Sequence, residues 1–173
     1  LPPRRMKMRG RVFHIFPDNT NTDEIISGKY KYDELDLEKL AVHTFESVYP
    51  GFYEEIKKFE SPILVAARNF GCGSSREQAP HVLKACGVRC IVAASFARIF
   101  FRNAINIGLP LVECDIAGDV KKGDELEIDF EGGVIRNLTS NEEFSFKKLP
   151  PFLMEIFAEG GLIPYLKKRG GFR

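Results

Sequence analysis

Two short runs, apolar but for Arg89 in the second, constrain this chain most. Pro62–Ala67 and Val88–Ala94 are each five to seven residues long, and each is followed by a turn and then by a segment of helical period. Ala79, Val82, Leu83 and Cys86 recur at i, i+3, i+4 and i+7, and Gly87 stands where a helix should stop. After the second run, Ser95 is placed to cap a further helix whose Phe96, Ile99, Phe100 and Ile107 face inward, closed by Gly108 and Pro110. A run too short for a helix and apolar on both faces is a strand buried from both sides. The middle of the chain therefore predicts β-loop-α-β-α-β, a parallel sheet with flanking helices, hence an α/β fold.

The flanks read differently. Arg11–Phe16 predicts a strand, and Pro17–Asp23 a loop. Short helices are expected over about 34–42 and 51–59. Glu125–Asp129, Gly133–Asn137 and Phe144–Lys147 predict short antiparallel strands, a small β-rich or barrel-like subdomain, before helices from about Pro151 and Ile163. At 173 residues the chain fits one domain by the usual range of roughly 100–200 residues. We place its bounds at 10–165. Residues 1–5 are set apart as an expression remnant or unstructured extension, and 166–173 as a basic tail.

Composition excludes several classes. Lys+Arg 25 against Asp+Glu 24 leaves a net charge of +1, without the basic excess that phosphate neutralisation calls for, so no nucleic-acid partner is expected. No apolar run reaches the roughly 20 residues a membrane helix needs. The four cysteines, Cys72, Cys86, Cys90 and Cys114, contain no C-x-x-C. They read as reduced thiols, Cys86, Cys90 and Cys114 beside apolar segments, and with no secretory signal they predict a cytoplasmic protein. His14, His43 and His81 show no ligand spacing, so no metal site is expected.

The chemistry concentrates in Gly71-Cys72-Gly73-Ser74-Ser75-Arg76-Glu77, between a buried strand and a helix, where open α/β sheets place their ligands. Glycines admit a close ligand, a helix start offers unpaired N–H groups, and Ser74, Ser75 and Arg76 supply hydroxyls and a fork that matches a carboxylate or phosphate. Pro80 places the start of the regular helix near Ala79, with the proline at its first position. The P-loop, the dinucleotide fingerprint, the nucleophile elbow and the papain-type signature all fail at defined positions. The plainer alternative is a turn in which Ser74 or Ser75 merely caps the helix.

Three ordered segments carry a resemblance. Asn69–Pro80 resembles the signature of the small-subunit family of 3-isopropylmalate dehydratases, in the aconitase superfamily. Asp18–Ile26 is similar to that family's N-T-D-x-I-I loop, and Ala94–Pro110 to its S-F-A-R-I…N…G-L-P helix. The resemblance covers about residues 10–165 and implies a swivelling β/β/α domain that is inactive alone. It implies a small dicarboxylate substrate, and a large partner subunit bearing a [4Fe-4S] cluster, with no cofactor in this chain. The family roles fall on matching positions: Ser74 as the catalytic base, Arg76 and Ser75 on a substrate carboxylate, and Thr22, Asp23 and Gly73 in support. Tyr30, Lys31 and Tyr32 lie in the loop that selects the substrate's side group. Tyr32 suits an isopropyl group, and Lys31 leaves a polyacid open. Gln78 departs from the family's usual histidine. The expected function is isomerisation of 2- and 3-isopropylmalate by dehydration and rehydration in leucine biosynthesis. The alternatives are a homoaconitase or other 2-alkylmalate dehydratase subunit and, in another class, a non-catalytic dicarboxylate-binding module.

Overall fold

The computed structural model describes residues 6–30, 36–74 and 76–170. One seven-stranded sheet organises the described residues, in the order β4-β3-β2-β1-β5-β6-β7. The long first strand, β1 (Lys7–Phe16), is its spine. On one side β1 pairs in parallel with β2 (Pro62–Ala66), which continues through β3 (Cys90–Ala93) to β4 (Leu111–Glu113). On the other side β1 pairs antiparallel with β5 (Glu125–Asp129), followed by β6 (Val134–Asn137) and β7 (Glu142–Ser145). The β-rich last third is thus an antiparallel wing of the same sheet rather than a separate barrel, because β1 is long enough to serve both halves.

Alternation along the strands sorts side chains into two cores. Leu64, Ala66, Ile91, Ala93 and Leu111 face one side, with α2 (Leu37–Ala41), α3 (Phe52–Lys57), α4 (Gln78–Ala85) and α5 (Arg98–Asn106) packed over them. Ile63, Val65, Cys90, Val92 and Val112 face the other and meet Leu126, Ile128, Phe130 and Ile135 from the wing. The second core is closed by the curl of the sheet, by Ile116 and Val120 after β4, and by Met154 further along the chain. Cys114, just past β4, brings its thiol to 3.6 Å from the carbonyl of Ser145 at the far edge strand. The β1–β2 register shifts between Val12 and His14. Phe13 and His14 then both lie on the helix side, in a cluster with Tyr49, Phe52 and Phe16, while Val12 and Ile15 keep to the other core.

Three expectations are corrected. The α5 N-cap is Ala97, without a side-chain cap, and Ser95 instead accepts the Asn69 N–H at 2.8 Å. Ile99, expected to face inward, is 50% exposed; α5 starts two residues later than a Ser95 cap would set it, and its inward residues are Phe100, Ala104 and Ile105. The α4 N-cap is Glu77, without a side-chain cap, so Ser74 does not cap that helix, and Pro80 is its third residue, still within the turn whose N–H groups need no helical partner. Cys86 and Cys90 are buried, while Cys114 is only half-buried. α6 (Pro151–Glu159) and α7 (Leu162–Lys168) pack against α5 through Ile105, Ile156 and Phe157, and α7 takes Lys167 and Lys168 into its last turn. No helix among the described residues is long and apolar enough to cross a membrane.

Candidate active site

The site is built where β1 and β2 end side by side. The chain leaves β1 through Asp18–Asn21 into α1 (Thr22–Ile25), and leaves β2 through Asn69–Ser74. α1 is short, but its start is fixed by a reciprocal cap: the Asn21 side chain accepts the Glu24 N–H at 2.8 Å, and the Glu24 carboxylate accepts the Asn21 N–H at 3.0 Å. Thr22 and Asp23 are thereby locked into its first turn.

The two loops are then zipped together. The Arg68 N–H donates to the Asp18 carboxylate at 2.8 Å, and the Asn19 N–H to the Arg68 carbonyl at 2.8 Å. Gly71 N–H meets the Thr20 carbonyl at 2.7 Å, and Thr22 N–H the Cys72 carbonyl at 2.9 Å. The buried Thr22 hydroxyl donates to the Ser74 carbonyl at 2.5 Å. Asn19 and Asn69 both sit at positive φ, 60° and 58°, and the Asn69 amide donates to the Asn19 side-chain oxygen at 3.0 Å. Asparagine tolerates this region better than most residues, which is why a mirrored pair can stand at the two strand exits. Beneath the loops lies a floor of rings, with Phe70 edge-on to Phe100 at 5.4 Å and to Phe96 at 6.1 Å. Gly71, at φ +84°, rests on Phe100 so closely that an added Cβ would stand 2.3 Å from the ring.

This framework presents two candidate groups. Ser74 is exposed, and its hydroxyl has no partner among the described residues. Gly73, at φ +93°, turns the chain just before it, against the Asn21 side chain. Arg76 donates from Nε to Asp23 Oδ1 at 2.6 Å, and its side chain is only 19% exposed. The rest of the guanidinium lies against the bare Cα of Gly28, where a Cβ would stand 2.5 Å from Nη2. Asp23 thus occupies one edge of the fork and leaves the Nη groups for an anion. Gln78 is the first residue of α4.

Tyr30, two residues after Gly28, is tied to His43 and Glu46. Its ring stacks on His43 at 3.9 Å and 10°, and its hydroxyl donates to the Glu46 carboxylate, which also meets His43 Nδ1 at 2.9 Å. That bond raises the Tyr30 pKa and lowers that of Glu46. Lys31, Tyr32 and Ser75 lie outside the described residues. Sequence reasoning did not single out Gly28, nor the roles of Asn19, Asn69 and Ser95. The asparagines carried a faint signal, each at the exit of a strand; the approach of Arg76 to Gly28 is tertiary and leaves no local trace.

Among the described residues no group of three His, Cys, Asp or Glu side chains could hold a metal ion. Burial pushes the Cys86 thiol up to about 11, and that of Cys90 further in the same direction, so neither is available as a thiolate. The cysteines of this chain do not fit an iron–sulfur cluster. A concavity of about 730 Å³ lies apart from Ser74, lined by Phe96, Phe101, Arg98 and the segment after β7.

A mixed sheet whose parallel strand exits carry a braced arginine and an exposed serine defines a class. Residues 4–115 match the family of aconitase C-terminal domains, and the chain belongs to that family. Within it, the chain is 50% identical over 165 residues to the 3-isopropylmalate dehydratase small subunit 1 of Thermotoga maritima, covering 95% of this chain and 98% of that one. It is 48% identical to the isopropylmalate/citramalate isomerase small subunit of Methanocaldococcus jannaschii, covering 95% and 96%. The crystal structure of a 3-isopropylmalate dehydratase from that archaeon superposes with a TM-score of 0.85 at 39% identity, over 95% of this chain and 96% of that one.

Proposed function

We propose that this chain is the small subunit of a hydro-lyase that interconverts 2- and 3-isopropylmalate by dehydration and rehydration, a step of leucine biosynthesis, and that it works only with a large subunit. One observation carries the reading: the zipped loops hold a Ser74 hydroxyl without a partner among the described residues, and an Asp23-braced Arg76, at the carboxyl ends of β1 and β2. Arg76 binds a substrate carboxylate through its Nη groups and so fixes the neighbouring carbon. Ser74 Oγ, as alkoxide, takes the proton from that carbon and returns it in the reverse direction. A serine oxygen is a poor base in water. The positive charge of Arg76 and the N–H groups that open α4 favour its anionic form once water is excluded. Thr22 holds the Ser74 carbonyl, and Asp23 keeps the guanidinium turned toward the substrate. Ser75, Lys31 and Tyr32 complete the substrate's surroundings. A [4Fe-4S] cluster on the large subunit would supply Lewis-acid activation of the leaving hydroxyl. The reduced cysteines fit a cytoplasmic enzyme.

A second substrate is favoured by a specific finding: a relative at 48% identity is named for citramalate as well as isopropylmalate. A smaller 2-alkylmalate fits the same carboxylate clamp, and hydrophobic pockets reject a shorter side chain only weakly, by factors of roughly 10–200 per methylene.

The test is reconstitution. The purified chain, mixed with its cluster-loaded large subunit, isomerises 2-isopropylmalate. Ser74→Ala lowers kcat by about 10²-fold or more while the complex still forms. Arg76→Lys, which keeps the charge but loses the fork, raises KM by about tenfold or more. Full turnover by Ser74→Ala removes the base assignment.

A further inference from the structure

The 730 Å³ groove has a character that the chemistry at Ser74 does not use. Its floor is apolar, made by Leu111 and Val112 of β4 and by Phe101, and its far wall is Phe146 with the chain up to Leu153. Arg98, Lys147 and Lys148 stand around it, with Glu113 the one carboxylate in its lining. It runs on, past Arg98, Phe101 and Leu153, into a shallower hollow that adds Arg102 and the 55% exposed Phe152.

Two features separate it from an incidental hollow. The first is charge. Arg9, Arg11, Arg76, Arg136 and Arg169 each meet a carboxylate. Arg98, Arg102, Lys147 and Lys148 meet none among the described residues; Arg68 and Arg89 also meet none, but these four are gathered about one groove and its continuation. A cluster of unanswered cations about an apolar floor is complementary to an apolar ridge edged with carboxylates. The second is position. β2, β3 and β4 are parallel, so the serine loop and the groove open at the same edge of the sheet. Phe96 lines the groove and forms a β-bridge with Phe70 of the serine loop. Any partner that closes over Ser74 and extends toward β4 passes across it.

We infer that this groove is a seat of the large subunit, which fills it with an apolar ridge flanked by Asp or Glu. The inference rests on the reading of this chain as a small subunit and names the surface by which that reading is realised. It assigns the groove residues to assembly and none of them to chemistry.

The experiment titrates the full chain with its cluster-loaded large subunit, reading complex formation by sedimentation velocity and isomerisation by rate. Three variants are compared with wild type: Phe152→Asp, Arg98→Glu, and the double variant Lys147→Glu/Lys148→Glu. All sit on exposed side chains, and an unchanged melting temperature establishes that each is folded. Each raises the apparent Kd by about tenfold or more, while kcat at saturating large subunit stays within about twofold of wild type. Raising salt from about 0.05 to 0.3 M weakens wild-type assembly more than that of the charge-reversed chains. Variants that titrate like wild type overturn the inference. So does loss of a self-associated form of the isolated chain with the mixed complex unaffected, which would make a second copy the occupant. A wild-type chain that assembles but does not isomerise refutes the proposed reaction, and the variants still report on the groove. A wild-type chain that does not assemble at all refutes both.

Discussion

Gly28 and Gly71 mark the two closest approaches in the site, and substitution separates their roles. At Gly28 the obstacle is the end of the Arg76 side chain, 2.5 Å from an added Cβ. That end can move, so Gly28→Ala folds normally but displaces the guanidinium. KM rises by about tenfold with a smaller change in kcat, a split that steady-state kinetics on the reconstituted pair reads directly. At Gly71 the obstacle is the buried ring of Phe100 at 2.3 Å, and the backbone is at φ +84° besides. Gly71→Ala therefore costs stability, about 2–3 kcal/mol by urea titration, before it costs activity. The cysteines divide in the same way. With Cys86 and Cys90 buried and their thiols pushed up, a neutral-pH alkylating reagent labels Cys72 and, more slowly because burial raises its thiol too, Cys114 in the native chain, and all four after denaturation.

The zipper between the exits of β1 and β2 is as much a part of the site as the groups it presents. Asn19 and Asn69 combine a left-handed backbone with a mutual side-chain bond. Asn69→Gly loses the bond and keeps the backbone; Asn69→Ala loses the bond and strains the backbone. The alanine variant is expected to be the less stable by about 1 kcal/mol in denaturant unfolding. The sequence made the parallel half of the fold legible because its strands are short apolar runs bounded by turns, and α4 and the serine loop fell into place between them. The start of α5 falls later than its sequence predicts, for a physical reason. Ser95 looked like a helix cap, but its hydroxyl is taken by the Asn69 N–H across the loop. A local pattern cannot distinguish a cap for the next helix from a cap for a neighbouring turn. The Asp23–Arg76 pair, 53 residues apart in sequence, was reachable only through family resemblance.

The whole molecule responds to acid in an order set by its shifted groups. Burial lowers the pKa of half-buried His14 and His81, with Lys122 and Lys84 adding to it respectively. The unfolded chain gains protons near pH 6.5 that the folded chain refuses, so stability is full above that value and falls as pH drops toward the folded pKa values. Glu127, held down mainly by its bond from Arg9, and Glu46, by the Tyr30 hydroxyl, add a second loss below the ordinary carboxylate range. The melting temperature should decline from about pH 6.5 downward, and His14→Gln/His81→Gln should flatten the first part of that decline. At this scale the sequence announced β5–β7 but not their destination, since antiparallel pairing with β1 and the meeting of Cys114 with Ser145 are decided by the curl of the sheet. That curl has a consequence for anyone trimming the chain. The family match ends at residue 115, and every candidate site residue precedes it. A fragment cut there would keep those candidate residues yet bare the Lys7–Arg11 flank of the spine strand and strip Val12, Ile63, Val65 and Val92 of their cover. Such a piece, with an open ladder and an oily face, would stick to its own kind rather than to a partner.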